Sequence, residues 1–204
     1  MSDQPGNRWD ERYQGTDYLF GTEPNDFLAT AVQGLVPAET LCLADGEGRN
    51  GVFLAGLGHR VTSLDASTVG LEKAQLLASQ HDVSIKTRLA DLTTEDLGHE
   101  TWDLIVSIFF HLPTAERHAL HQRIARALRP GGRIILEAYT PAQLAFKTGG
   151  PSRPEMLMSL PLLRADFAGL AVVHAIELER DVVEGAGHIG RSAVVQFVAD
   201  KPIQ

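Results

Sequence analysis

The sequence predicts an α/β protein with a Rossmann-like, doubly wound sheet of about seven strands, mostly parallel, with helices on both faces. From about residue 40, short apolar runs alternate with helical patterns, which is typical of βαβ units and a parallel sheet. A glycine-rich turn follows the first apolar run directly. The last two apolar runs are separated only by the turn-like residues 184–187, so they are predicted to pair as an antiparallel hairpin.

The first half of the core reads as strand, helix, strand, helix. The first strand is predicted at 40–44, and a short helix at 50–57 follows the glycine loop. The second strand is predicted at 60–64, ending on Asp65. Ser67 is then expected to cap a helix that ends near Gln80, because its apolar residues recur at i, i+3, i+4 and i+7.

The second half continues the pattern and then changes. The glycine- and proline-rich segment after the fifth strand is predicted to be a loop near the functional face. The expected elements are strands at 83–89, 102–109 and 133–139, a helix capped by Thr114, a loop at 147–154, a short helix at 160–167, and paired runs at 170–182 and 189–199.

Length and composition predict a single domain spanning residues 1–204. Its 204 residues, 44% of them hydrophobic, are enough to build one core. Residues 1–38 are expected to form a helical cap on a core at 39–204. No run approaches the ~20 apolar residues that span a bilayer, and no signal segment is recognisable, so a cytoplasmic protein, monomeric or homodimeric, is expected without membrane contacts.

Charge and metal-binding residue types exclude several other classes. A net charge of -8 with scattered basic residues disfavours nucleic acid as a partner. The single cysteine, Cys42, lies in an apolar run and is expected to pack in the core. The eight histidines show no H-x-x-x-H pattern with a third ligand, so no metal site is predicted.

The loop Gly46-Glu47-Gly48-Arg49-Asn50-Gly51 matches the G-x-G-x-x-G pattern between a strand and a helix. Glycines let the backbone approach a ligand and adopt positive φ. Asp65 follows at roughly the ~20-residue interval at which an acidic side chain binds ribose hydroxyls. The pattern therefore indicates a cofactor that contains adenosine, and nicotinamide dinucleotides remain an open alternative at this point.

Further segments make the sequence resemble the class I S-adenosylmethionine-dependent methyltransferases from Trp9 to Pro202. Within that superfamily, the GRN of the loop and the entry segment at 9–28 look most like the tellurite-resistance and thiopurine methyltransferase-like group. The segments that carry the resemblance are LCLADGEGRNGVFLA (41–55), VTSLDAS (61–67), ADL (90–92), WDLIVSIFFHLP (102–113) and LRPGGRIILEAYTP (128–141).

The resemblance implies S-adenosyl-L-methionine as the cofactor and assigns roles residue by residue. Asp65 would bind the ribose hydroxyls, and Asp91 would face the adenine amino group. The implied cofactor-binding set is Asp45, Gly46, Glu47, Gly48, Asp65, Ala66, Asp91, Leu92 and Ile108. The entry segment would fold over the cofactor as a lid, through Tyr13, Tyr18, Phe20 and Gly21.

The first motif departs from the family pattern at two positions. Cys42 stands where the strand usually has an acidic residue, and Ala44 replaces the first glycine. Asp45 or Glu47 is the candidate to hold the ammonium group of the cofactor in its place.

Three polar residues after the fourth and fifth strands are candidates for contact with the substrate. His111 has a suitable intrinsic pKa for a general base, against the alternative that it only caps its loop. Glu137 and Tyr139 end the fifth strand, where open α/β sheets bind ligands, against the alternative of a buried Glu137 with a local partner.

The leading hypothesis is methyl transfer to a small-molecule acceptor, with soft nucleophiles such as thiol, selenium or tellurium species as the candidate class. A nicotinamide-dependent oxidoreductase is one alternative, which the terminal hairpin opposes. A non-catalytic cofactor-binding protein is the other, suggested by the altered first motif.

Overall fold

Strands and helices follow one another along the chain in the predicted order. The computed structural model describes the backbone of residues 5–203 and the side chains of residues 8–203, so residues 1–4 of the predicted cap lie outside the described residues. Two compact units are formed, one by residues 5–95 with 184–187 and one by residues 96–183 with 188–203.

The first unit contains three parallel strands and four helices among its described residues. β2 pairs with β1 on one side and with β3 on the other. The predicted helical cap at 1–38 supplies the two helices α1 and α2. The elements are α1 (Pro5–Tyr13), α2 (Asp26–Ala31), β1 (Glu39–Leu43), α3 (Arg49–Gly56), β2 (Arg60–Asp65), α4 (Thr68–Gln80) and β3 (Lys86–Leu89).

The apolar residues of β1 and the Ser67 cap of α4 explain how two elements of this unit form. Residues 40–43 of β1 are all buried, as expected of a parallel strand covered on both faces, and Cys42 packs there at 1% exposure. The Ser67 side chain caps α4 by accepting from the Gly70 amide at 2.9 Å, as predicted.

The second unit holds the other four strands. β4 pairs with β5 in parallel, β5 pairs with β7 antiparallel, and β6 lies next to β7. Its elements are β4 (Trp102–Ile108), α5 (Thr114–Ala127), β5 (Leu128–Tyr139), α6 (Leu160–Asp166), β6 (Ala171–Glu184) and β7 (His188–Asp200), with short 3₁₀ turns at Pro141–Ala145 and Pro154–Met156. The predicted doubly wound α/β fold, with seven strands among the described residues and an antiparallel hairpin, is confirmed.

Two predicted boundaries in this unit were wrong. The fifth strand begins at Leu128 instead of Arg133, because the Pro130-Gly131-Gly132 stretch forms a bulge inside β5. Lys201 holds the bulge by backbone hydrogen bonds of 2.8 Å to Gly131 and Gly132. Thr114 is the first residue of α5 and not its cap, since its hydroxyl donates to the Glu155 carbonyl.

Asp166 fastens α6 to α5. It accepts from Nδ1 of His118 at 2.8 Å and Nδ1 of His121 at 2.7 Å, and it pairs with Arg117 at 3.4 Å. These partners hold the pKa of the Asp166 carboxyl well below its usual range, although burial acts in the opposite direction. The cluster therefore stabilises the helix pair beside β7.

Candidate functional site

The glycine loop that follows β1 requires its glycines. Gly46 and Gly48 have φ values of 56° and 89°, which side chains rarely adopt. A Cβ at Gly48 would lie 2.5 Å from the Cβ of Ala74 in α4. Ala44 has a φ of 49° without being a glycine. Ala44 thus adopts the backbone conformation that the glycine of the family motif would adopt, and this conformation is strained for an alanine.

Asp45 lies beneath the loop and holds the start of α3. Its carboxylate accepts from the Gly51 amide at 3.2 Å and from the Ser63 hydroxyl at 2.6 Å. Burial raises the pKa of Asp45 to about 7, and its hydrogen bonds only partly oppose the rise. Asp45 thus connects the start of α3 with β2 through Gly51 and Ser63, which is a structural role besides the cofactor role that the resemblance implies.

Asp65, at the end of β2, connects the loop with the next turn. One carboxylate oxygen accepts from the Gly46 amide at 2.8 Å, and the other accepts from the Ser67 amide at 2.9 Å, across the intervening Ala66 of the same turn. Burial raises the pKa of Asp65, while these backbone hydrogen bonds lower it. Each oxygen keeps a further lone pair for a ribose hydroxyl.

Asp91 and Leu92 lie in the turn after β3. The Ala90 amide donates to the Asp65 carbonyl at 2.9 Å, which brings the ends of β2 and β3 together. Asp91 is exposed and accepts from the Thr93 amide and hydroxyl, whereas Leu92 is buried. Asp91 and Leu92 therefore directly follow the residue that is hydrogen-bonded to Asp65, whose side chain in turn holds Gly46.

Glu47 contacts the entry segment, residues 9–28. Its side chain is buried, pairs with Lys73 of α4 and accepts from the Leu19 amide at 2.8 Å. Lys73 also donates to the carbonyls of Tyr13, Gly15 and Asp17 at 3.4, 3.0 and 2.7 Å. The Glu47 carboxylate is thus engaged in holding the entry segment on the loop.

Tyr13 lies directly on the loop. A Cβ at Gly46 would be 2.7 Å from its hydroxyl, and one at Gly70 would be 3.1 Å from its ring. The pKa of Tyr13 is raised by burial first and then by the carboxylates of Asp65, Glu47 and Asp45. The loop therefore presents a negative electrostatic environment.

The other residues of the predicted lid lie in the same unit. Phe20 packs against Trp9 and Tyr13, with ring centroids 6.3 and 6.4 Å apart. The Tyr18 hydroxyl donates to the Lys73 carbonyl at 3.2 Å, and the Gly21 amide donates to the Tyr18 carbonyl. The entry segment accordingly carries all four predicted lid residues on the first unit.

The second unit contains a separate cluster of rings after β4 and β5. Phe109 follows Ile108, the buried last residue of β4, and has a φ of 52°. Its ring stacks on Tyr139 at 4.5 Å and meets His188 edge-on at 4.8 Å. His111 stacks on the other side of Tyr139, at 5.7 Å.

Burial keeps His111 in its neutral form, and two backbone groups contact its ring nitrogens. Its Nδ1 lies 3.0 Å from the Met156 carbonyl, which it can reach only as a donor, and its Nε2 lies 3.4 Å from the Tyr139 amide. Burial lowers the pKa of His111 to about 4, assisted by His188 and opposed by the Met156 carbonyl. It is therefore a weak base at neutral pH.

Glu137 and Tyr139 are both fully buried at the end of β5. Arg180 donates to both carboxylate oxygens of Glu137, at 3.0 and 2.7 Å, and Gln196 donates to one of them at 2.8 Å. The alternative weighed for Glu137, a buried side chain with a local partner, is thus the arrangement observed. Tyr139 is covered by the loop at Gly149 and Gly150.

Sequence reasoning missed four buried polar residues around the glycine loop and the terminal hairpin turn. They are Asn25, Arg49, Asn50 and Glu184. The GRN letters of the loop were noticed only as a likeness, and no signal indicated Glu184 as a partner 135 residues away. The positive φ of Phe109 was also not predicted, because such a conformation at a phenylalanine leaves no mark in the sequence.

Neither a metal site nor a membrane span is found in residues 5–203. No group of three or more His, Cys, Asp or Glu side chains there is arranged to hold a metal ion. No helix in this range is long and apolar enough to cross a bilayer.

Comparison with known sequences identifies the class to which the central segment is similar. Residues 41–132 match the protein family described as a methyltransferase domain. The cypemycin N-terminal methyltransferase of Streptomyces sp is 31% identical over 118 residues, which are 55% of this chain and 46% of that protein. The chain therefore spans about half the length of the curated relative it matches.

Solved structures resemble this chain over nearly all of its length. A structure from work on the conversion of a disulfide bond into a thioacetal group during echinomycin biosynthesis has a TM-score of 0.78 at 20% identity, covering 98% of this chain and 92% of that one. The N-methyltransferase NodS of Bradyrhizobium japonicum WM9, in complex with S-adenosyl-L-homocysteine, has a TM-score of 0.74 at 14% identity, covering 98% and 100%.

A third solved structure bears on the narrower resemblance. TehB of Haemophilus influenzae has a TM-score of 0.71 at 19% identity, covering 96% of this chain and 66% of that one. At such identities the three likenesses concern the fold alone, and they show that the chain has a Rossmann-like fold.

Proposed function

We propose that this protein is an S-adenosylmethionine-dependent methyltransferase that acts on a small-molecule acceptor. The methyltransferase-domain match at residues 41–132 and the curated relative support the class. NodS, a neighbour in fold, was solved with S-adenosyl-L-homocysteine, the demethylated form of that cofactor.

The observation that carries the choice of cofactor is the charge around the glycine loop. Three acidic side chains, Asp45, Glu47 and Asp65, are buried beside Gly46, and of these Lys73 pairs with Glu47. The pKa of Tyr13 is raised mainly by its burial, and the three carboxylates add to the rise while Arg12 opposes it. S-adenosylmethionine brings a sulfonium and an ammonium group, which such an environment attracts, whereas the pyrophosphate of a nicotinamide dinucleotide is repelled. The acidic loop therefore favours S-adenosylmethionine over the oxidoreductase alternative.

The described residues fit this cofactor. Asp65 retains acceptor capacity for ribose hydroxyls, and exposed Asp91 with buried Leu92 offers an acceptor and an apolar contact for adenine. Gly46 and Gly48 let the loop pack closely under Tyr13 and against Ala74. Asp45 or Glu47 is proposed to attract the ammonium group through the field of its carboxylate.

When bound, the cofactor supplies a methyl group on a sulfonium, an activated donor that a nucleophile displaces directly. The protein has then to bind, align the reacting atoms and exclude water. Tyr13 and the entry segment cover the loop, which serves the exclusion of water. Ile108 and the rings that follow β4 are proposed to contact the acceptor.

The ring cluster limits the class of acceptor. Because the pKa of His111 is about 4, its imidazole is a poor base for an alcohol or phenol acceptor, whose proton must be removed. Soft nucleophiles, such as thiolates and selenium or tellurium species, react without such a base. They are the proposed acceptors, and the likeness to TehB agrees with the tellurium member of this class.

Amines are the second candidate class of acceptor. Phe109 and His188 are half-buried and meet edge-on at 4.8 Å, and such aromatic rings suit contact with a cationic amine or its methylated product, whereas Tyr139 is fully buried. The names of two similar proteins, an N-terminal methyltransferase and an N-methyltransferase, point to the same class.

Two measurements test this proposal. Calorimetric titration compares S-adenosyl-L-homocysteine with NADH, and tight binding of NADH alone would overturn the cofactor assignment. Mass spectrometry then follows methylated products from a panel of thiols, selenium and tellurium oxyanions, amines and phenols. Binding of the cofactor without any product in the panel would favour the non-catalytic alternative.

A further inference from the structure

The side chains of Arg49 and Asn50 in the glycine loop are engaged with other parts of the protein. Both are buried in the first turn of α3, at 7% and 6% exposure. The Arg49 guanidinium pairs with Glu184 and donates to the Glu23 carbonyl at 3.4 Å. The Asn50 side-chain oxygen accepts from the Asn25 amide at 3.0 Å. Their polar groups therefore contact the entry segment and the turn between β6 and β7.

Asn25 joins three parts of the first unit. Its side-chain oxygen caps α2 by accepting from the Leu28 amide at 2.9 Å. Its side-chain amide donates to Glu184 at 2.8 Å, and its backbone amide donates to Asn50. Asn25 is fully buried, so each of these polar groups needs the partner it has.

The turn at 184–187 also packs against the entry segment through its backbone. The Gly187 amide donates to the Leu19 carbonyl at 2.9 Å. A Cβ at Gly185 would lie 2.4 Å from the Gly21 nitrogen, and one at Gly187 would lie 2.3 Å from the Phe20 ring. Only glycines allow this approach, so the turn is shaped to hold the entry segment.

We infer that Asn25, Arg49 and Glu184 form a clasp that positions the entry segment for cofactor binding. The inference rests on the proposed function, because the entry segment carries Tyr13 and the Leu19 amide, which contact Gly46 and Glu47 of the loop. Opening the clasp frees the segment from the loop without changing any residue proposed to touch the cofactor.

The charges make the clasp sensitive to single substitutions. The side chains of Arg49 and Glu184 are 9% and 4% exposed, so removing one charge leaves the other buried and unmatched. Glu184→Gln keeps the shape of the side chain and presents an amide donor to Arg49. Arg49→Lys keeps the positive charge but loses the fork that reaches both Glu184 and the Glu23 carbonyl.

Glu179→Gln is the matched control. Glu179 lies in the same strand as Glu184, and its pair with Arg191 is about half exposed on both sides. Such surface pairs contribute little to stability. The control therefore makes the same chemical change without touching the entry segment.

The experiment measures hydrogen exchange of the ligand-free proteins by mass spectrometry and their binding of S-adenosyl-L-homocysteine by calorimetry. We expect Glu184→Gln to speed exchange in residues 9–24, to leave β4 and β5 unchanged, and to weaken binding by about tenfold or more. Arg49→Lys should fall between Glu184→Gln and wild type. Glu179→Gln should match wild type in both measurements.

Two results would overturn the clasp. One is wild-type exchange in residues 9–24 of Glu184→Gln, and the other is local opening that leaves the affinity for S-adenosyl-L-homocysteine unchanged. If the wild type itself does not bind S-adenosyl-L-homocysteine, the proposed function fails, whereas the exchange data still show whether the clasp holds the segment.

A second variant covers the case in which Glu184→Gln does not fold. Asn25→Asp keeps an oxygen that caps α2 but replaces the amide donor with a carboxylate facing Glu184. It is expected to give the same local exchange and the same loss of affinity. Wild-type behaviour of this variant would equally refute the clasp.

Discussion

The carboxylate of Asp65 accepts a hydrogen bond from the backbone amide of Gly46 at 2.8 Å, so the end of β2 holds the first glycine of the loop after β1. The same carboxylate holds the turn at Ser67. One side chain therefore sets the shape of the loop and offers the remaining lone pairs to a ligand.

Replacing Asp65 should reduce both stability and affinity. Asp65→Ala leaves the amides of Gly46 and Ser67 without their acceptor, and we expect a loss of about 1–3 kcal/mol in the free energy of unfolding and a similar loss in binding of S-adenosyl-L-homocysteine. Denaturant unfolding and calorimetry measure the two effects. Asp65→Asn, which keeps one acceptor oxygen, should lose less, and unchanged affinity in Asp65→Ala would show that the ribose site is misassigned.

Restoring a glycine at position 44 should stabilise the protein. The φ of 49° at Ala44 destabilises the folded state by about 1–2 kcal/mol, and a glycine would relieve this strain. Glycine also has more conformational freedom in the unfolded chain, which offsets about 0.4–1 kcal/mol of the gain. Ala44→Gly is therefore expected to raise the free energy of unfolding by about 0.5–1 kcal/mol. Ala78→Gly in the last turn of α4 is the control of opposite sign, with an expected loss of about 0.5–1 kcal/mol. A destabilised Ala44→Gly would mean that the strain at this position is absent.

Stability should depend on pH through Asp45. Its pKa is about 7 in the folded protein against an ordinary value of 3.8, so the folded state binds this proton more tightly than the unfolded chain does. Its contribution is complete below the ordinary pKa and is lost as the pH rises through about 7. Asp45→Asn removes this titration while keeping an acceptor for the Gly51 amide.

Thermal unfolding between pH 5 and pH 8 measures how the stability of the wild type and of Asp45→Asn depends on pH. This range includes the pKa of about 7 that Asp45 has in the folded protein. We expect the wild type to lose more stability across this range than Asp45→Asn. Asp96→Asn, which changes an exposed carboxylate, should follow the wild type. Parallel curves for the wild type and Asp45→Asn would refute the raised pKa.

His111 should not act as a general base. With a pKa of about 4, it is neutral throughout the range from pH 6 to pH 9, and the rate of methyl transfer should show no ionisation of His111 there. His111→Asn keeps a donor for the Met156 carbonyl, and we expect it to retain activity within about tenfold. A pH–rate profile with a pKa near 6.5 that disappears in His111→Asn would identify His111 as the base after all.

Much of the fold could be predicted because its signals are local. Apolar runs fix where β1, β2 and β4 lie, and an acidic residue directly after such a run predicts Asp65 without knowledge of any contact. The start of β5 could not be predicted, since a proline and two glycines usually end a strand, and only the Lys201 backbone, far along the chain, turns them into a bulge.

The candidate site was predictable only in part, because some of its contacts join residues that are far apart in the sequence. The glycine loop and Asp65 follow from spacing and Asp91 follows from the resemblance, but the pairing of Arg49 with Glu184 joins residues 135 positions apart. Nothing near Glu184 in the sequence indicates such a partner. Likewise, the neutral state of His111 depends on its burial, and the orientation of its ring depends on the Met156 carbonyl; both are properties of the folded chain.

The ammonium group of Lys73 occupies the position in the entry segment that a bound monovalent cation occupies in other loops. Its ammonium group collects the carbonyl oxygens of Tyr13, Gly15 and Asp17, as a potassium ion does in loops that require one, and Glu47 balances its charge. This cation is covalently attached and cannot exchange with solvent. The shape of residues 13–17 is therefore expected to be the same in sodium, potassium or choline buffers, and acetylation of Lys73 would act on this loop as removal of an ion does elsewhere.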